Sequence, residues 1–152
     1  MNDKELYSGE SDESILSVSE PVEFYDSNKD FITLEAWKKC REVKLLFYLK
    51  IIPLLPKEEK FNLDNQIRRA SVSITANISE GYGRFHYQEG IQFYRISRAS
   101  LYELKDHLIS CYDFGYITDE LKIEGENLIE SAKRTLNGYI NFVKRKIQNE
   151  KS

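Results

Sequence analysis

Mostly apolar residues recur three, four or, once, seven positions apart in four separate stretches of the chain, which is the spacing of one face of an α-helix. The repeating positions are, stretch by stretch, Ala36, Cys40, Val43, Phe47 and Ile51; Leu63, Ile67, Ala70, Ile74 and Ile78; Gly90, Tyr94, Ser97, Leu101, Leu104, Leu108 and Cys111; and Leu121, Leu128, Ala132, Leu136, Tyr139 and Val143. No stretch alternates with period two between turn signals, so no β-strand is predicted. The pattern predicts an all-α chain.

Residues that cap or break helices place the four predicted helices at about 34–52, 63–81, 87–114 and 119–147. Thr33, Asn62 and Thr118 are residue types that cap a helix N-terminus with their side chains. Pro53 ends the first helix because proline has no amide hydrogen to donate. Gly115 suits the position after a helix C-terminus. Four long helices with short connections predict an up-down antiparallel four-helix bundle over residues 31–150.

Residues 1–30 form a different kind of segment, acidic and serine-rich, with little hydrophobic periodicity. They predict an N-terminal leader that is either disordered or docked. The leader carries nine acidic residues and two lysines, whereas residues 31–152 carry 20 basic and 16 acidic residues, a net charge of +4. This asymmetry indicates either a solubilising tail or an arm that lies on a basic face of its own or a neighbouring subunit and competes with nucleic acid.

The segment ITANISEGYGRF, residues 74–85, is the stretch that most resembles a functional motif. Its glycine pair, Gly81 and Gly83, lacks the lysine and threonine of a phosphate-binding loop, and no strand precedes it. The pair predicts a left-handed turn that closes the second helix. The chain has no signal peptide and no apolar run long enough to span a membrane, so we expect a cytoplasmic protein. The glycosylation sequon Asn77-Ile78-Ser79 is then expected to stay unmodified.

Nothing in the sequence forms a recognisable catalytic arrangement. Glu103, His107 and Cys111 follow one another at four-residue spacing, as metal ligands on a helix would, but no second helix supplies a matching cluster. A serine nucleophile needs a base within hydrogen-bond reach, and no such arrangement is recognisable. We therefore expect no enzyme activity, no cofactor and no metal.

A basic face on the third helix is the most informative polar feature. Arg95, Arg98, Tyr102 and Lys105 share this face, and cations around an aromatic ring suit a phosphate backbone with a stacked base. The alternative is a solvated face with ion pairs inside the helix, because acidic residues lie close by in the sequence. The candidate phosphate contacts are Arg84, Arg95, Arg98, Lys105, Lys144, Arg145 and Lys146.

The second helix has polar residues on both sides of its apolar stripe, together with the apolar Val72 on the outside. A bundle helix with an apolar residue and small side chains outside its core stripe is suited to contact another chain, so we predict self-assembly. The candidate assembly or structural residues are Gln66, Arg68, Arg69, Val72, Asn77, Glu80, Gly81 and Gly83.

Several segments together resemble one bacterial protein family: LEAWKKCREV (34–43), LDNQIRRASVSITANISEGYGR (63–84), FYRISRASLYELKDHL (93–108), DFGYI (113–117) and LNGYINFVKRK (136–146). The family consists of four-helix bundle proteins encoded in 23S rRNA intervening sequences, and the accessory protein of diversity-generating retroelements is related to it. The resemblance implies a ring-shaped homopentamer without known catalysis. The retroelement relatives bind nucleic acid through basic surfaces and also bind a reverse transcriptase.

Two departures from this family affect what is expected of the chain. Its body is only mildly basic, and family members usually begin close to the first helix, without an acidic leader. Five bodies would together carry about +20, and five whole chains about −15, so the leaders could gate access electrostatically. We expect a nucleic-acid-binding or ribonucleoprotein accessory protein. The alternative is a scaffold that recruits a partner protein and binds no nucleic acid.

Overall fold

The computed structural model describes residues 29–152, and this part of the chain is helical throughout, without a β-strand. Its four long helices are α1 (Glu35–Leu46), α2 (Leu63–Gly83), α3 (Tyr87–Asp113) and α4 (Asp119–Lys151). A π-helical turn, Phe47–Ile51, continues α1, and short 3-10 turns occupy Phe31–Thr33, Ile52–Leu54 and Lys57–Glu59. The predicted all-α class with four helices is confirmed for these residues. The predicted acidic leader lies, apart from its last two residues, outside the described residues.

The helices pack in a closed order in which each contacts its neighbour along the chain and α1 also contacts α4. In each contact between neighbouring helices, the residue numbers increase along one helix while those of their partners decrease along the other. Neighbouring helices therefore run in opposite directions. The contacting pairs are Lys44–Thr75 and Tyr48–Arg68 between α1 and α2, Ser73–Ser100 and Gly81–Gly90 between α2 and α3, and Arg98–Asn137 and Lys105–Glu130 between α3 and α4.

This arrangement gives the bundle two distinct ends. The N-termini of α1 and α3 lie with the C-termini of α2 and α4 at one end, which we call the Lys29 end. There the Tyr82 hydroxyl donates a hydrogen bond to the Lys29 carbonyl oxygen (3.1 Å). The α1–α2 and α3–α4 connections lie at the other end, the Phe114 end, where the Tyr116 hydroxyl donates to the Glu59 carboxylate (3.1 Å).

The apolar faces predicted for α1, α2 and α3 are buried together in one core. On α4, Leu121 and Leu128 lie only at the edge of this core, whereas Ile129 and Ile140, which the predicted face omitted, are fully buried. Full burial of a large aliphatic side chain contributes about 1.5–3 kcal/mol. The core is therefore the main source of the bundle's stability.

Small residues bring α2 and α3 into close contact. A Cβ atom built on Gly81 would lie 2.7 Å from Cε1 of Tyr94 and 2.9 Å from the Gly90 carbonyl oxygen. Further along the same contact, the buried Ser97 hydroxyl donates to the Ile74 carbonyl oxygen (2.6 Å). The two helix backbones approach too closely here for larger side chains, which is the physical reason for these small residues.

Two of the three predicted N-cap side chains do not cap a long helix. Thr33 lies in the 3-10 turn before α1 and donates its hydroxyl to the Asp30 carbonyl oxygen (2.7 Å), so α1 begins without a side-chain cap. At α2 the Leu63 amide donates to the Glu59 carboxylate (3.1 Å), in place of the predicted Asn62. Thr118 does cap α4, because its hydroxyl accepts from the Leu121 amide (3.2 Å).

The predicted glycine turn after α2 is wrong. Gly81 and Gly83 are both helical, and the left-handed residue of the connection is Phe85, with φ of 50°. The prediction for Gly115 is correct, since it adopts φ of 78° and the next amide, of Tyr116, donates to the Cys111 carbonyl oxygen (2.9 Å). This 6→1 hydrogen bond belongs to the Schellman arrangement that closes helix C-termini.

The first and last helices end differently from their predicted bounds. Regular α-helix stops at Leu46, because Pro53 has no amide hydrogen for the helical ladder and the chain passes through π-helical and 3-10 turns before it. At the C-terminus, α4 continues to Lys151 rather than to about residue 147. The basic run 144–146 therefore lies inside α4 and not at its end.

We expect Gly81→Ala to lower the free energy of unfolding by about 1–3 kcal/mol, the range for overpacking a tight contact. The new methyl group would meet the Gly90 carbonyl oxygen, a backbone atom of α3, and the ring of the fully buried Tyr94, and neither can easily move aside. Gly83→Ala is the matched control, because its Cβ would meet nothing within 4 Å, so it should be neutral or stabilise by up to about 1 kcal/mol. Urea unfolding followed by circular dichroism measures both; equal effects would contradict the close contact.

Candidate nucleic-acid interface

The α3 and α4 helices meet along a contact that repeats every seven residues. Lys105 lies against Glu130, and Arg98, seven residues earlier on α3, lies against Asn137, seven residues later on α4. Two helical turns cover about seven residues, so Lys144 continues the same line on α4. We call this surface the α3–α4 seam; it comprises Arg95, Arg98, Tyr102 and Lys105 of α3 and Glu130, Lys133, Asn137 and Lys144 of α4.

A single carboxylate, that of Glu130, binds two ammonium groups in the seam. Its Oε1 atom lies 3.0 Å from Nζ of Lys105 and 3.1 Å from Nζ of Lys133. The Lys133 ammonium also lies 4.1 Å from the ring centroid of Tyr102, a cation–π distance. The cluster therefore keeps a net positive charge and holds the Tyr102 ring in place.

The protonation states of this cluster follow from the same contacts. Burial alone would raise the pKa of Glu130, but hydrogen bonds from Lys105 and Lys133 outweigh burial and lower it. The hydrogen bond to Glu130 is also the largest cause of a raised pKa at Lys105. The Glu130 carboxylate and the Lys105 ammonium are therefore both charged at neutral pH. Because the Glu130 side chain is 46% exposed, water screens these ion pairs and their contribution to stability is small.

Two other cations of the seam have different surroundings. Arg98 donates from Nη1 to the amide oxygen of Asn137 (3.2 Å), a partner without charge. Arg95 is exposed and makes no ion pair within residues 29–152. Glu103, an acidic residue next to Tyr102 on α3, contacts His107 of the same helix (3.0 Å). The seam thus holds five basic side chains and one carboxylate.

Three of the predicted phosphate contacts lie away from the seam. Arg84 bonds Glu80 (3.2 Å) and lies over the Phe93 ring (4.9 Å), on the flank of α3 that faces α2. Lys146 lies over the Phe142 ring (5.5 Å), and Arg145 is exposed one position before it. The structure therefore brings Arg95, Arg98, Lys105 and Lys144 together along one seam. It places the other three elsewhere at the Lys29 end.

The residues predicted for assembly or structure also divide into two groups. Asn77 and Gly81 lie in the α2–α3 contact, where the Asn77 amide donates to Ser73 (2.9 Å). The remaining six are half-exposed or exposed along the outer part of α2. Arg68 pairs with Asp64, Glu80 with Arg84, and the others are Gln66, Arg69, Val72 and Gly83.

Of the α4 residues in the seam, Lys144 was part of the predicted site, whereas Glu130, Lys133 and Asn137 were not. Lys133 and Asn137 lie among the apolar positions of a long helix, and neither forms part of a basic run. One signal was present in the sequence: positions 130, 137 and 144 repeat every seven residues, as do 91, 98 and 105 on α3. Two matching repeats on neighbouring antiparallel helices predict a line of contacts.

The described residues offer little support for a metal site, a reactive cysteine or a membrane-spanning helix. No group of three or more His, Cys, Asp or Glu side chains within residues 29–152 could hold a metal ion. Burial raises the pKa of the Cys40 thiol to about 12 and that of Cys111 to about 11, so neither is a nucleophilic thiolate at neutral pH. In the same range, none of the helices combines the length and apolar character that crossing a bilayer requires.

Comparison with known proteins identifies a family. The model of the 23S rRNA-intervening sequence protein family matches residues 33–138. This range holds α1, α2, α3 and most of α4, and includes Arg95, Arg98 and Lys105 but not Lys144. No curated protein matches the chain.

We expect Glu130→Gln to lower the free energy of unfolding by about 0.2–1 kcal/mol at neutral pH, the range for exposed ion pairs. The folded pKa of Glu130 is lowered, so its contribution is present above the ordinary pKa of about 4.3 and is lost as pH falls through the folded value. The difference from the unaltered protein should therefore shrink as the pH falls below that ordinary value. Urea titrations across this pH range measure it. Asp106→Asn, which removes an exposed α3 charge, should show no such dependence.

Proposed function

Because the chain belongs to the 23S rRNA-intervening sequence protein family, we propose that it is a non-enzymatic, homo-oligomeric helical bundle that binds nucleic acid. In this role it would act as an accessory of a ribonucleoprotein. The observation that carries the proposal is the α3–α4 seam, where five basic side chains surround one carboxylate; four of them are exposed or half-buried, and Lys133 is buried against the Tyr102 ring. Such an excess of like charge does not stabilise the bundle, but it matches a polyanion.

The dimensions of the seam suit a nucleic-acid backbone. Lys144 lies level with Ile91, so the seam extends over the α3 positions 91 to 105, about 21 Å at 1.5 Å per residue. A nucleic-acid strand places one phosphate about every 3.4 Å along a helix axis, so about six phosphates would lie along the seam. Tyr102, 53% exposed, adds an aromatic surface on which an unpaired base can stack. These features favour a single-stranded or loop region of RNA.

Self-assembly is supported by apolar side chains on the outside of α1 and α2. Val72 of α2 is 50% exposed, beside a shallow groove that it lines with Tyr48, Arg68 and Arg69. Leu49, 70% exposed on the π-helical turn after α1, lines a different groove with Glu124 and Leu128 of α4. Burial of this surface against a second copy would remove apolar area from water. We propose a ring of five, a number that rests on the family resemblance. A ring repeats the seam five times and so raises its avidity for a long polyanion.

A specific observation also favours the second candidate, a scaffold for a partner protein. Phe61, which is 82% exposed, and the exposed Phe114 and Leu54 lie at the Phe114 end, far from the Lys29 end. Exposed aromatic and aliphatic side chains at one place suit a protein partner better than nucleic acid. A reverse transcriptase is the kind of partner that the family resemblance suggests. The two functions occupy different surfaces and can be tested separately.

We expect Arg95→Ala with Arg98→Ala to weaken binding to a labelled single-stranded RNA. Each lost phosphate contact should lower the slope of log affinity against log salt by about 0.7. Fluorescence anisotropy over a series of KCl concentrations measures both affinity and slope. Lys57→Ala with Lys60→Ala is the control, because it removes two charges at the Phe114 end and should leave the slope unchanged.

Two outcomes would contradict either nucleic-acid binding or the seam as its site. If the unaltered protein and a variant with a neutralised leader both bind RNA and DNA without salt dependence, the nucleic-acid function is wrong. If the control pair lowers the slope as much as the arginine pair, binding is non-specific attraction to net charge, and the seam is not the site.

We expect Val72→Asp to shift the oligomer towards smaller species, since it places a charge in the surface that a second copy would cover. Native mass spectrometry of the full chain measures the distribution, with a pentamer expected for the unaltered protein. Ile123→Asp places the same charge at an exposed apolar residue on α4 and should leave the oligomer intact. A monomeric unaltered protein at micromolar concentration would contradict the proposed assembly.

A further inference from the structure

The two ends of the bundle differ in charge. The Lys29 end, residues 29–39, 80–95 and 139–152, carries nine basic and five acidic residues. The Phe114 end, residues 49–68 and 105–128, carries six basic and nine acidic residues. The bundle is therefore electrostatically polar along its axis, a property that the mild net charge of +4 for the whole body conceals.

The acidic N-terminal segment joins the bundle at its positive end. Residues 1–28 contain eight acidic residues and one lysine, a net charge of −7. The next residue, Lys29, is fixed at the Lys29 end by the hydrogen bond from Tyr82. The acidic segment and the basic end of the bundle are thus adjacent in the chain. Their attraction requires closure of only a short loop, and the short distance limits its screening by salt.

The same end also offers apolar surface. Phe85, 59% exposed, packs its ring edge-on against Tyr82, the residue that holds Lys29. Exposed Ile32 lies three residues after Lys29. Within the N-terminal segment, Ile15, Leu16 and Val18 form an apolar cluster with acidic residues on both sides, and Val22, Phe24 and Tyr25 form a second one nearer to Lys29. Surface and segment therefore match in both charge and hydrophobicity.

Chain length permits this contact within one subunit. Eleven residues separate Val18 from Lys29, and an extended chain covers at most about 3.3–3.6 Å per residue, or about 36–40 Å here. Arg95 lies eight residues into α3, about 12 Å from its first turn. The apolar cluster can thus reach Phe85, and the acidic residues that flank it can reach Arg95 and Arg145.

We propose that residues 1–28 dock on the Lys29 end of their own subunit and extend over the adjoining part of the α3–α4 seam. The acidic residues face Arg95, Arg145 and Lys146, and the cluster Ile15–Val18 covers Phe85. The docked segment occupies cations that would otherwise contact phosphates, so it competes with nucleic acid. This competition rests on the proposed function, whereas the docking does not.

The expected effect on affinity follows from the docked fraction. If the segment covers the seam for nine-tenths of the time, only one-tenth of the protein is competent to bind, and affinity falls about tenfold. A segment tethered beside its site has an effective concentration in the millimolar range. Even a weak contact is therefore well populated, yet a long polyanion can displace it.

The first experiment tests docking without nucleic acid. A zero-length carbodiimide reagent joins carboxylates to nearby lysine amines in the full-length protein, and mass spectrometry identifies the linked peptides. We expect links from Glu13, Glu20 or Glu23 to Lys144, Lys146 or Lys151, in the band of monomer mass on a denaturing gel, and loss of these links in high salt. Lys57 and Lys60, at the Phe114 end, are the internal control.

Two results would overturn the docking. Equal linkage to Lys57 and Lys60 would mean that the segment has no preferred place on the bundle. Linkage found only in the band of dimer mass would mean that the segment lies on a neighbouring copy. A further variant, Ile15→Ser with Leu16→Ser, should reduce the links to Lys144 and Lys146 severalfold, because it removes the apolar contact and keeps the charge.

The second experiment tests competition. The full-length variant Asp12→Asn, Glu13→Gln, Glu20→Gln and Glu23→Gln should bind single-stranded RNA about tenfold more tightly than the unaltered protein. The control variant Glu58→Gln, Asp106→Asn, Asp113→Asn and Glu120→Gln makes the same change in net charge at or towards the Phe114 end and should change affinity far less. Equal tightening by both variants would overturn the competition.

The two experiments separate this inference from the proposed function. Specific links to the Lys29 end, in a protein that binds no RNA even when its N-terminal acids are neutralised, would support docking and contradict nucleic-acid binding. Salt-sensitive RNA binding without specific links would support the function and contradict docking.

Discussion

The close approach of α2 and α3 is the constraint on which the rest of the structure depends. Gly81 lies against Gly90 and Tyr94 with no room for a methyl group, and the Ser97 hydroxyl fixes the same contact by its bond to the Ile74 carbonyl oxygen. Backbones this close allow little rotation of one helix about its axis. The opposite flank of α3 must then face α4, and this flank carries the basic residues. The seam is thus positioned by small buried residues on the far side of the helix.

The seam itself is arranged for charge rather than for stability. A surface selected only for stability would alternate cations and carboxylates, because unlike pairs contribute slightly and like charges repel. Here one carboxylate, Glu130, holds Lys105 and Lys133, while Arg98 is oriented by the uncharged amide of Asn137. These contacts fix the directions of long flexible side chains and leave a positive excess. Such ordering lowers the entropy lost when a polyanion binds.

Much of the fold follows from local sequence, and the errors show where local reasoning stops. Apolar spacing predicted the buried faces because burial of one helix face depends mainly on that helix. Gly115 was predicted correctly since its left-handed conformation is a property of its own turn. Gly81 was misread as a turn residue, because its role comes from a neighbouring helix, which its own stretch does not reveal. Asn62 failed as a cap for a related reason: Glu59, from the preceding turn, already accepts the Leu63 amide hydrogen. Glu130, Lys133 and Asn137 of α4 were likewise missed, because the sequence of α3 alone does not show which residues lie beside it.

The distribution of charge along the bundle connects these features. Net charge hides it, because the positive Lys29 end and the negative Phe114 end nearly cancel within one body. Only the antiparallel packing shows that the ends of α2 and α4 lie beside the starts of α1 and α3. With these helix ends together at the Lys29 end, the acidic N-terminal segment joins the bundle at its positively charged end. A polyanion approaching that end meets a site whose charge depends on where the segment lies.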